Sequence, residues 1–370
     1  MRKLVLLLAL TSLMAGCEKN NDGREVFYHP AAGVFVTNEG QFNQDDASLT
    51  YFNPATGQAE QEVCYRANNV PLGDGCQSMT VIDTTGFVVV TNSERIAVIN
   101  TNTFEYIEQI NGISAPRYVL PVSENEIYIS SLYSNKITVV NPKNYQITGT
   151  IDLGGGNGID TPRNSSEQMV KVGSDVFVCS WSYNNKIFRI NTQTNEVTSL
   201  TLEHAQPNSI VADKYGKLWV ASDGGYNDYA PAFFSATNRA LTRINAKTFT
   251  VEESFEFPSE SDSPSKLAIN TAGDKIYFIN NAWGAPGSAG DGVFVMSVTA
   301  NALPAAPLIP MGSAIFYGLG VDPCNGDIYI SDAVSYYPVG SGKAYRYSSE
   351  GELIKTFATG IFPGSFCFKP

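Results

Sequence analysis

The chain has 370 residues and a formal charge of −12 at neutral pH, so its length fits two domains or one large repeat architecture. Only 16% of the residues are charged, whereas 43% are hydrophobic. The acidity argues against a nucleic-acid-binding surface, which needs clustered lysines and arginines, and the hydrophobic content argues against intrinsic disorder. The 32 glycines, 19 prolines and abundant Tyr and Phe are typical of an all-β protein rich in turns.

The N-terminus has the layout of a secretory signal. Two basic residues precede an apolar run at 4–10, which is too short to span a bilayer. The closing Leu13-Met14-Ala15-Gly16-Cys17 resembles the bacterial lipobox, in which a peptidase cuts before a lipid-bearing cysteine. We therefore predict lipidation of Cys17. The predicted divisions are a signal peptide, residues 1–16; a lipidated polar tether, residues 17–30; and one propeller domain, residues 31–370.

Seven copies of one pattern fill the mature chain. Each copy is a run of apolar and aromatic residues that ends in a small polar residue, as in Val88-Val89-Val90-Thr91-Asn92. A second strand follows and leads into a turn that begins with Asn or Ser, and these turns recur about every 49 residues. This period predicts a seven-bladed β-propeller. The seven runs begin at Val34, Val88, Ile127, Val176, Leu218, Ile276 and Ile328.

The C-terminal strand is predicted to close the ring. A further strand precedes six of the runs, but the first run, at Val34, has none before it. The missing copy is Gly364-Ser365-Phe366-Cys367-Phe368, at the other end of the chain. We predict that it becomes the innermost strand of the first blade, because closure removes exposed sheet edges.

One equivalent position in the runs is expected to pack blade against blade. Its seven residues are Phe35, Val89, Tyr128, Phe177, Trp219, Tyr277 and Tyr329.

Five cysteines follow Cys17, and an oxidising compartment permits disulfides among them. Cys64 and Cys76 bracket a loop and are predicted to form a disulfide. Pairing of Cys324 with Cys367 is left open, and Cys179 is expected to be a buried thiol. No CxxC pair or neighbouring His supports a metal site.

The repeats resemble those of a known family. Val89-Val90-Thr91-Asn92 and Ile127-Tyr128-Ile129, each with the strand that follows it, resemble the YVTN repeats of the YncE-like propeller family. With the lipobox, this resemblance implies a lipid-anchored surface lipoprotein of the outer membrane in the Bacteroidetes. Related proteins of that group capture vitamin B12. The resemblance therefore implies a corrinoid ligand and a TonB-dependent transporter as partner, with no further cofactor.

Long loops on one face are expected to hold the ligand. The loop between the second and third strands of a blade shares a face with the loop to the next blade, and long insertions there are where function is expected. Aromatic residues concentrate in the loops 39–48, 223–240, 281–292 and 333–343. The predicted ligand-binding residues are Phe42, Asn92, Arg117, Tyr133, Trp181, Tyr183, Asn208, Tyr226, Tyr229, Phe233, Trp283, Tyr336 and Tyr337.

Polar residues are expected to surround the mouth of the central channel. They are the residues that end the runs, such as Asn38 and Asp332, and those that begin the innermost strands. Amides and hydroxyls under an aromatic rim suit a large, neutral, amide-bearing ligand or a sugar, while Arg117 could meet a phosphate or carboxylate. Packing of the loops on each other is the alternative for the aromatic residues. The polar residues that begin the innermost strands are Gln77, Arg117, Glu167, Asn208, Lys266 and Tyr317.

Enzyme motifs are sparse. The sequence contains no GxSxG, HExxH or P-loop motif, and His204 is the one candidate acid or base near the predicted ligand face. We expect a binding protein rather than an enzyme. The alternatives are a protein- or glycan-binding module and, less favoured, a propeller enzyme of the lactonase or lyase kind.

Overall fold

A computed structural model shows seven four-stranded antiparallel sheets arranged in a ring, which confirms the predicted seven-bladed β-propeller. The ranges that the structure describes are residues 23–156, 160–228, 230–282, 284–335 and 340–370. The one helix in these ranges is α1, Val63–Asn68, and nothing helical there is long and apolar enough to cross a membrane.

The first four blades follow each other along the chain. The first contains β1 Gly33–Asn38, β2 Ser48–Asn53 and β3 Gln58–Glu60. The second contains β4 Cys76–Ile82, β5 Thr85–Val90, β6 Arg95–Asn100 and β7 Tyr106–Asn111. The third contains β8 Pro116–Ser123, β9 Glu126–Ser131, β10 Lys136–Val140 and β11 Ile147–Asp152. The fourth contains β12 Met169–Val172, β13 Asp175–Ser180, β14 Lys186–Asn191 and β15 Val197–Thr201.

Three more blades complete the ring. The fifth contains β16 Pro207–Ala212, β17 Lys217–Ser222, β18 Ala240–Asn245 and β19 Thr250–Glu256. The sixth contains β20 Pro264–Ile269, β21 Lys275–Asn280, β22 Gly292–Ser297 and β23 Ile309–Pro310. The seventh contains β24 Phe316–Val321, β25 Ile328–Asp332, β26 Lys343–Tyr347 and β27 Leu353–Ala358.

The last strand, β28 Pro363–Lys369, is the innermost strand of the first blade. It pairs antiparallel with β1, so that Phe35 lies opposite Cys367 and Val36 lies opposite Phe366. The predicted closure is therefore confirmed. Because the two ends of the chain share one sheet, the first blade has its full four strands and the ring is closed.

The recurring aromatic position lies between blades, as the sequence predicts. All seven of its residues are buried, and each belongs to an apolar cluster. In one such cluster, Trp219 of the fifth blade stacks on Phe255 at 5.7 Å and packs with Phe278 of the sixth blade. Burial of each such side chain contributes about 1.5–3 kcal/mol, so the blade interfaces supply much of the driving force for folding.

The turns that lead to the outermost strands begin with hydrogen bonds to an Asn or Ser side chain, as the sequence predicts. Asn53 Oδ1 accepts a hydrogen bond from the backbone N–H of Ala55 at 3.0 Å, and Asn100 Oδ1 accepts one from Asn102 at 2.8 Å. Ser348 Oγ accepts one from Glu350 at 3.3 Å. These local bonds start each turn to the outermost strand without help from the rest of the fold.

The predicted disulfide between Cys64 and Cys76 is wrong, because both residues are free thiols in the structure. They lie in one apolar cluster, and burial raises the pKa of Cys64 to about 12 and that of Cys76 well above its usual value. The loop is held by the packing of α1, three of whose residues are buried. Cys324 and Cys367 are also unbonded, and Cys179 is buried as expected.

Part of the predicted tether lies against the propeller. Phe27 is buried in the cluster between the first and second blades, and the N–H of His29 donates to the carbonyl of Asn102 at 2.9 Å. Lys369, at the end of β28, donates to the carbonyl of His29 and, at 2.6 Å, to Asn102 Oδ1. This contact involves the turn between β6 and β7, on the face opposite to the loops that join the second and third strands of each blade.

We expect Lys369→Met to lower the free energy of unfolding by about 2 kcal/mol, because it leaves acceptors at His29 and Asn102 without their donor. Equilibrium denaturation in urea measures the change. Lys355→Met, at an exposed lysine of β27, is the matched control and should have little effect. Equal stability of the two variants would contradict the importance of this contact.

Candidate functional site

The innermost strands surround one cavity at the face that carries the long loops. Its volume is about 230 Å³, and every one of the seven blades contributes at least one residue to its wall. The polar and aromatic residues of the wall that matter most below are Arg117, Glu167, Trp181, Asn208, Asp223 and Lys266.

An ion pair crosses one side of the cavity. Arg117 follows the first residue of β8, and its Nε lies 2.9 and 3.0 Å from the two carboxylate oxygens of Glu167. Its Nη1 donates to Gln77 Oε1. Burial raises the pKa of the Glu167 carboxyl, although Arg117 acts in the opposite direction. The pair fixes the Arg117 side chain, so its planar group presents a fixed face to the cavity.

A second group forms where the first and seventh blades meet. The hydroxyl of Tyr317 donates to Glu39 and lies 3.0 Å from each carboxylate oxygen. The Nζ of Lys266 lies 5.4 Å from the centre of the Tyr317 ring and donates to the carbonyl of Gly364 at 3.4 Å. Burial raises the pKa of Glu39 and lowers that of Lys266, while the opposite charges of the two groups partly offset both shifts.

A third group joins the fourth and fifth blades. Trp181 Nε1 donates to Asp223 Oδ2 at 2.9 Å, and Asn208 Nδ2 donates to the same oxygen at 3.3 Å. The N–H of Gly225 donates to Asp223 Oδ1 at 2.9 Å. Burial raises the pKa of Asp223, and these donors oppose the shift. Asp223 therefore orients both the indole of Trp181 and the amide of Asn208 at the cavity wall.

Three of the predicted ligand-binding residues, Arg117, Trp181 and Asn208, meet in this cavity. Four predicted residues lie outside the described ranges, and so do the signal peptide and the lipidation site. Those four residues are Tyr229, Trp283, Tyr336 and Tyr337, and the lipidation site is Cys17.

The remaining predicted residues lie on loops and not in the cavity wall. Phe42, Tyr133 and Tyr226 are 71%, 61% and 57% exposed, and Phe233 is half-buried. Tyr183 contacts Phe234 edge to face at 5.3 Å, which is the loop-on-loop packing that the sequence left open. Asn92 is exposed, and its Nδ2 lies 3.4 Å from Asp74 Oδ2.

The prediction that the residues ending the runs surround the channel is wrong. Six of the seven are buried, and some of them bond to neighbouring segments: Asn38 Nδ2 donates to Thr50 Oγ1 of β2 at 3.1 Å, and Asp332 Oδ1 accepts from the N–H of Ile315 at 2.9 Å. The residues that point toward the channel stand one position later, because neighbouring side chains of a strand point to opposite sides. That shifted position holds Glu39, Trp181 and Asp223.

His204, the one candidate acid or base in the sequence, is buried away from the cavity wall. Its Nδ1 lies 3.1 Å from the carbonyl oxygen of Asn238, so it belongs to the packing of the fifth blade. Within the described ranges, no group of three or more His, Cys, Asp or Glu side chains is placed to hold a metal ion.

We expect the stability of the protein to depend on the titration of Glu39. Since burial raises the Glu39 pKa above its ordinary value of 4.5, the folded state binds this proton more tightly than the unfolded chain does. The contribution of Glu39 to the free energy of unfolding therefore decreases as the pH rises from about 4.5 through the folded-state pKa. Glu39→Gln, which cannot titrate, should gain stability relative to the unsubstituted protein over that interval.

Equilibrium unfolding at several pH values between about 4 and about 7 tests this expectation. Glu108→Gln, at an exposed glutamate of β7, controls for the loss of one negative charge. If the difference in stability between the Glu39→Gln variant and the unsubstituted protein stays constant with pH, the expectation is wrong.

Comparison with known proteins gives the fold a wider context. No curated protein matches the chain. A quinonprotein alcohol dehydrogenase-like protein from Bacteroides thetaiotaomicron is similar in structure, with 14% identity, a TM-score of 0.62 and coverage of 92% of this chain and 79% of that chain. The periplasmic gluconolactonase of Pseudomonas aeruginosa has 10% identity, a TM-score of 0.61 and coverage of 92% and 99%. A protein from Lactobacillus plantarum has 12% identity, a TM-score of 0.63 and coverage of 92% and 100%.

At these identities the likeness shows the propeller fold alone. The family comparison covers almost the whole propeller. Residues 32–369 match the family described as Domain of unknown function (DUF5074), and the chain therefore belongs to that family.

Proposed function

We propose that this protein binds a small ligand at the loop face of the propeller and releases it unchanged. The observation that carries the proposal is a cavity to which all seven blades contribute, with polar groups already held in place by other side chains. Glu167 holds Arg117, and Asp223 holds Trp181 and Asn208. A concave site with a few fixed polar groups binds a ligand without paying the entropy of ordering those groups.

The ligand that we propose is a corrinoid such as vitamin B12, as the resemblance to the YncE-like propellers implies. A cavity of about 230 Å³ is smaller than the roughly 300–1,000 Å³ of sites that enclose drug-sized ligands. A corrinoid would therefore lie across the loop face, with one of its arms in the cavity. The exposed rings of Phe42, Tyr133 and Tyr226 offer apolar surface to such a ligand.

We also propose that Cys17 carries a lipid and anchors the protein to the surface of the outer membrane, beside a TonB-dependent transporter. The docked residues Phe27 and His29 lie on the face opposite to the cavity. Six residues, 17–22, precede Gly23, and they reach at most about 20 Å. The anchor would thus hold the cavity toward the medium, where ligand arrives, and delivery would require the propeller to turn on its tether.

Titration calorimetry with cyanocobalamin tests the ligand. We expect binding by the unsubstituted protein and at least a tenfold loss of affinity, about 1.4 kcal/mol, in Tyr133→Ala or Tyr226→Ala. Tyr215→Ala is the matched control, because Tyr215 is 58% exposed but lies in the turn between β16 and β17, on the opposite face.

Two results would contradict parts of this proposal. No heat from cyanocobalamin at micromolar protein would exclude the corrinoid, and binding on a glycan array would then favour the glycan-binding alternative. Unchanged affinity in both tyrosine variants would place the site away from these loops.

Metabolic labelling with an alkyne fatty acid tests the anchor. We expect the label in the unsubstituted protein and in Cys324→Ser, which removes an exposed thiol, but not in Cys17→Ser. Label retained by the Cys17→Ser variant would show that the lipid is attached elsewhere or that the labelling is unspecific.

A further inference from the structure

The cavity contains a lysine that few protein groups satisfy. The Nζ of Lys266 has one hydrogen-bond acceptor among the described residues, the carbonyl of Gly364 at 3.4 Å, and lies over the ring of Tyr317. It forms no ion pair with a carboxylate of those residues. Because an ammonium group carries three N–H donors, it can donate to a ligand that enters the cavity.

The backbone at Lys266 has an unusual conformation. Its φ of 56° lies in the left-handed region, which is unfavourable for a residue with a side chain. The pairing of β20 with β21 is irregular between Ser265 and Ala268, so Lys266 lies in a bulge. The next residue, Leu267, is buried, and its N–H donates to Ser209 Oγ of the fifth blade at 3.1 Å. The pairing is irregular at the same level in β4, β8, β16 and β24, so the bulge belongs to the repeat, whereas the left-handed φ is particular to Lys266 among the corresponding residues.

The charges around Lys266 favour a neutral ligand group. Arg117 pairs with Glu167, Lys266 acts on Glu39, and the buried Arg239 acts on Asp223, so three positive groups balance three carboxylates. A ligand carboxylate would add an uncompensated negative charge to this balanced set. An amide carbonyl can accept from Lys266 without adding charge, and the amide N–H groups can donate to the acceptors of the same wall.

We infer that the cavity is a subsite for a primary amide arm, whose carbonyl oxygen accepts a hydrogen bond from Lys266. This inference rests on the proposed function, because the rest of the ligand must lie on the loop face outside a cavity of about 230 Å³. Trp181, held by Asp223, packs beside the arm at the wall. The balance of charge around Lys266 thereby favours ligands with an uncharged amide over those with a carboxylate at this position.

Saturation-transfer NMR with propionamide and propionate tests the subsite without a corrinoid. We expect a signal from propionamide with the unsubstituted protein, at least a tenfold weaker one from propionate, and loss of the propionamide signal in Lys266→Met. Lys214→Met is the matched control, because Lys214 lies over Tyr215 at 5.3 Å on the opposite face. Lys266→Asn is a second variant, since Asn tolerates a left-handed backbone and removes the ammonium group.

Calorimetry with cyanocobalamin separates this inference from the proposed function. At least a tenfold loss of affinity in both Lys266 variants, with Lys214→Met unchanged, supports the amide subsite. Cyanocobalamin binding that is equal in all variants overturns the subsite and leaves the proposed function standing. A propionamide signal that depends on Lys266, without cyanocobalamin binding, supports the subsite and overturns the corrinoid. A propionate signal stronger than that of propionamide overturns the preference for a neutral arm.

Discussion

The packing of each blade on the next, closed into a ring, is the constraint on which the other features depend. No blade could bury its apolar faces alone, and each apolar cluster draws side chains from two neighbouring blades. The pairing of β28 with β1 supplies the last of these contacts from the far end of the chain. Since the ring is closed, the seven innermost strands are held around one axis, and residues near their beginnings converge on one cavity.

This convergence explains the polar chemistry of the cavity. Charged side chains are scarce in the sequence because most strand residues face another blade, where a charge would be desolvated. The charges that do occur on the axis are Arg117, Lys266 and the carboxylates around them, and burial shifts the pKa of Glu39, Glu167 and Asp223 upward. Apart from Lys266, these groups are held by other side chains and form a small preorganised wall, while the larger contact area that a ligand needs is on the loops.

The loops and the scaffold therefore have different roles. Structures with 10% to 14% identity retain the propeller, so the fold by itself says little about a ligand. On this chain, Phe42 and Tyr133 leave most of their rings exposed, whereas Tyr183 packs against Phe234. The face that bears these rings is opposite to the docked segment around Phe27. With the proposed anchor, that contact would direct the cavity away from the membrane.

Four features of the fold follow from the sequence alone: the number of blades, the closure by the C-terminal strand, the Asn and Ser turns, and the buried column from Phe35 to Tyr329. These features repeat, and each depends on periodicity or on bonds within a few residues. Which side chains meet depends on how the blades pack together. A shift of one residue placed Glu39 and Asp223, not Asn38, toward the channel, and helix packing replaced the expected bond at Cys64. The bulge at Lys266 recurs at the same level in other innermost strands, but the contacts of this segment, such as the bond from Leu267 to Ser209, join different blades, and no pattern within one repeat records them.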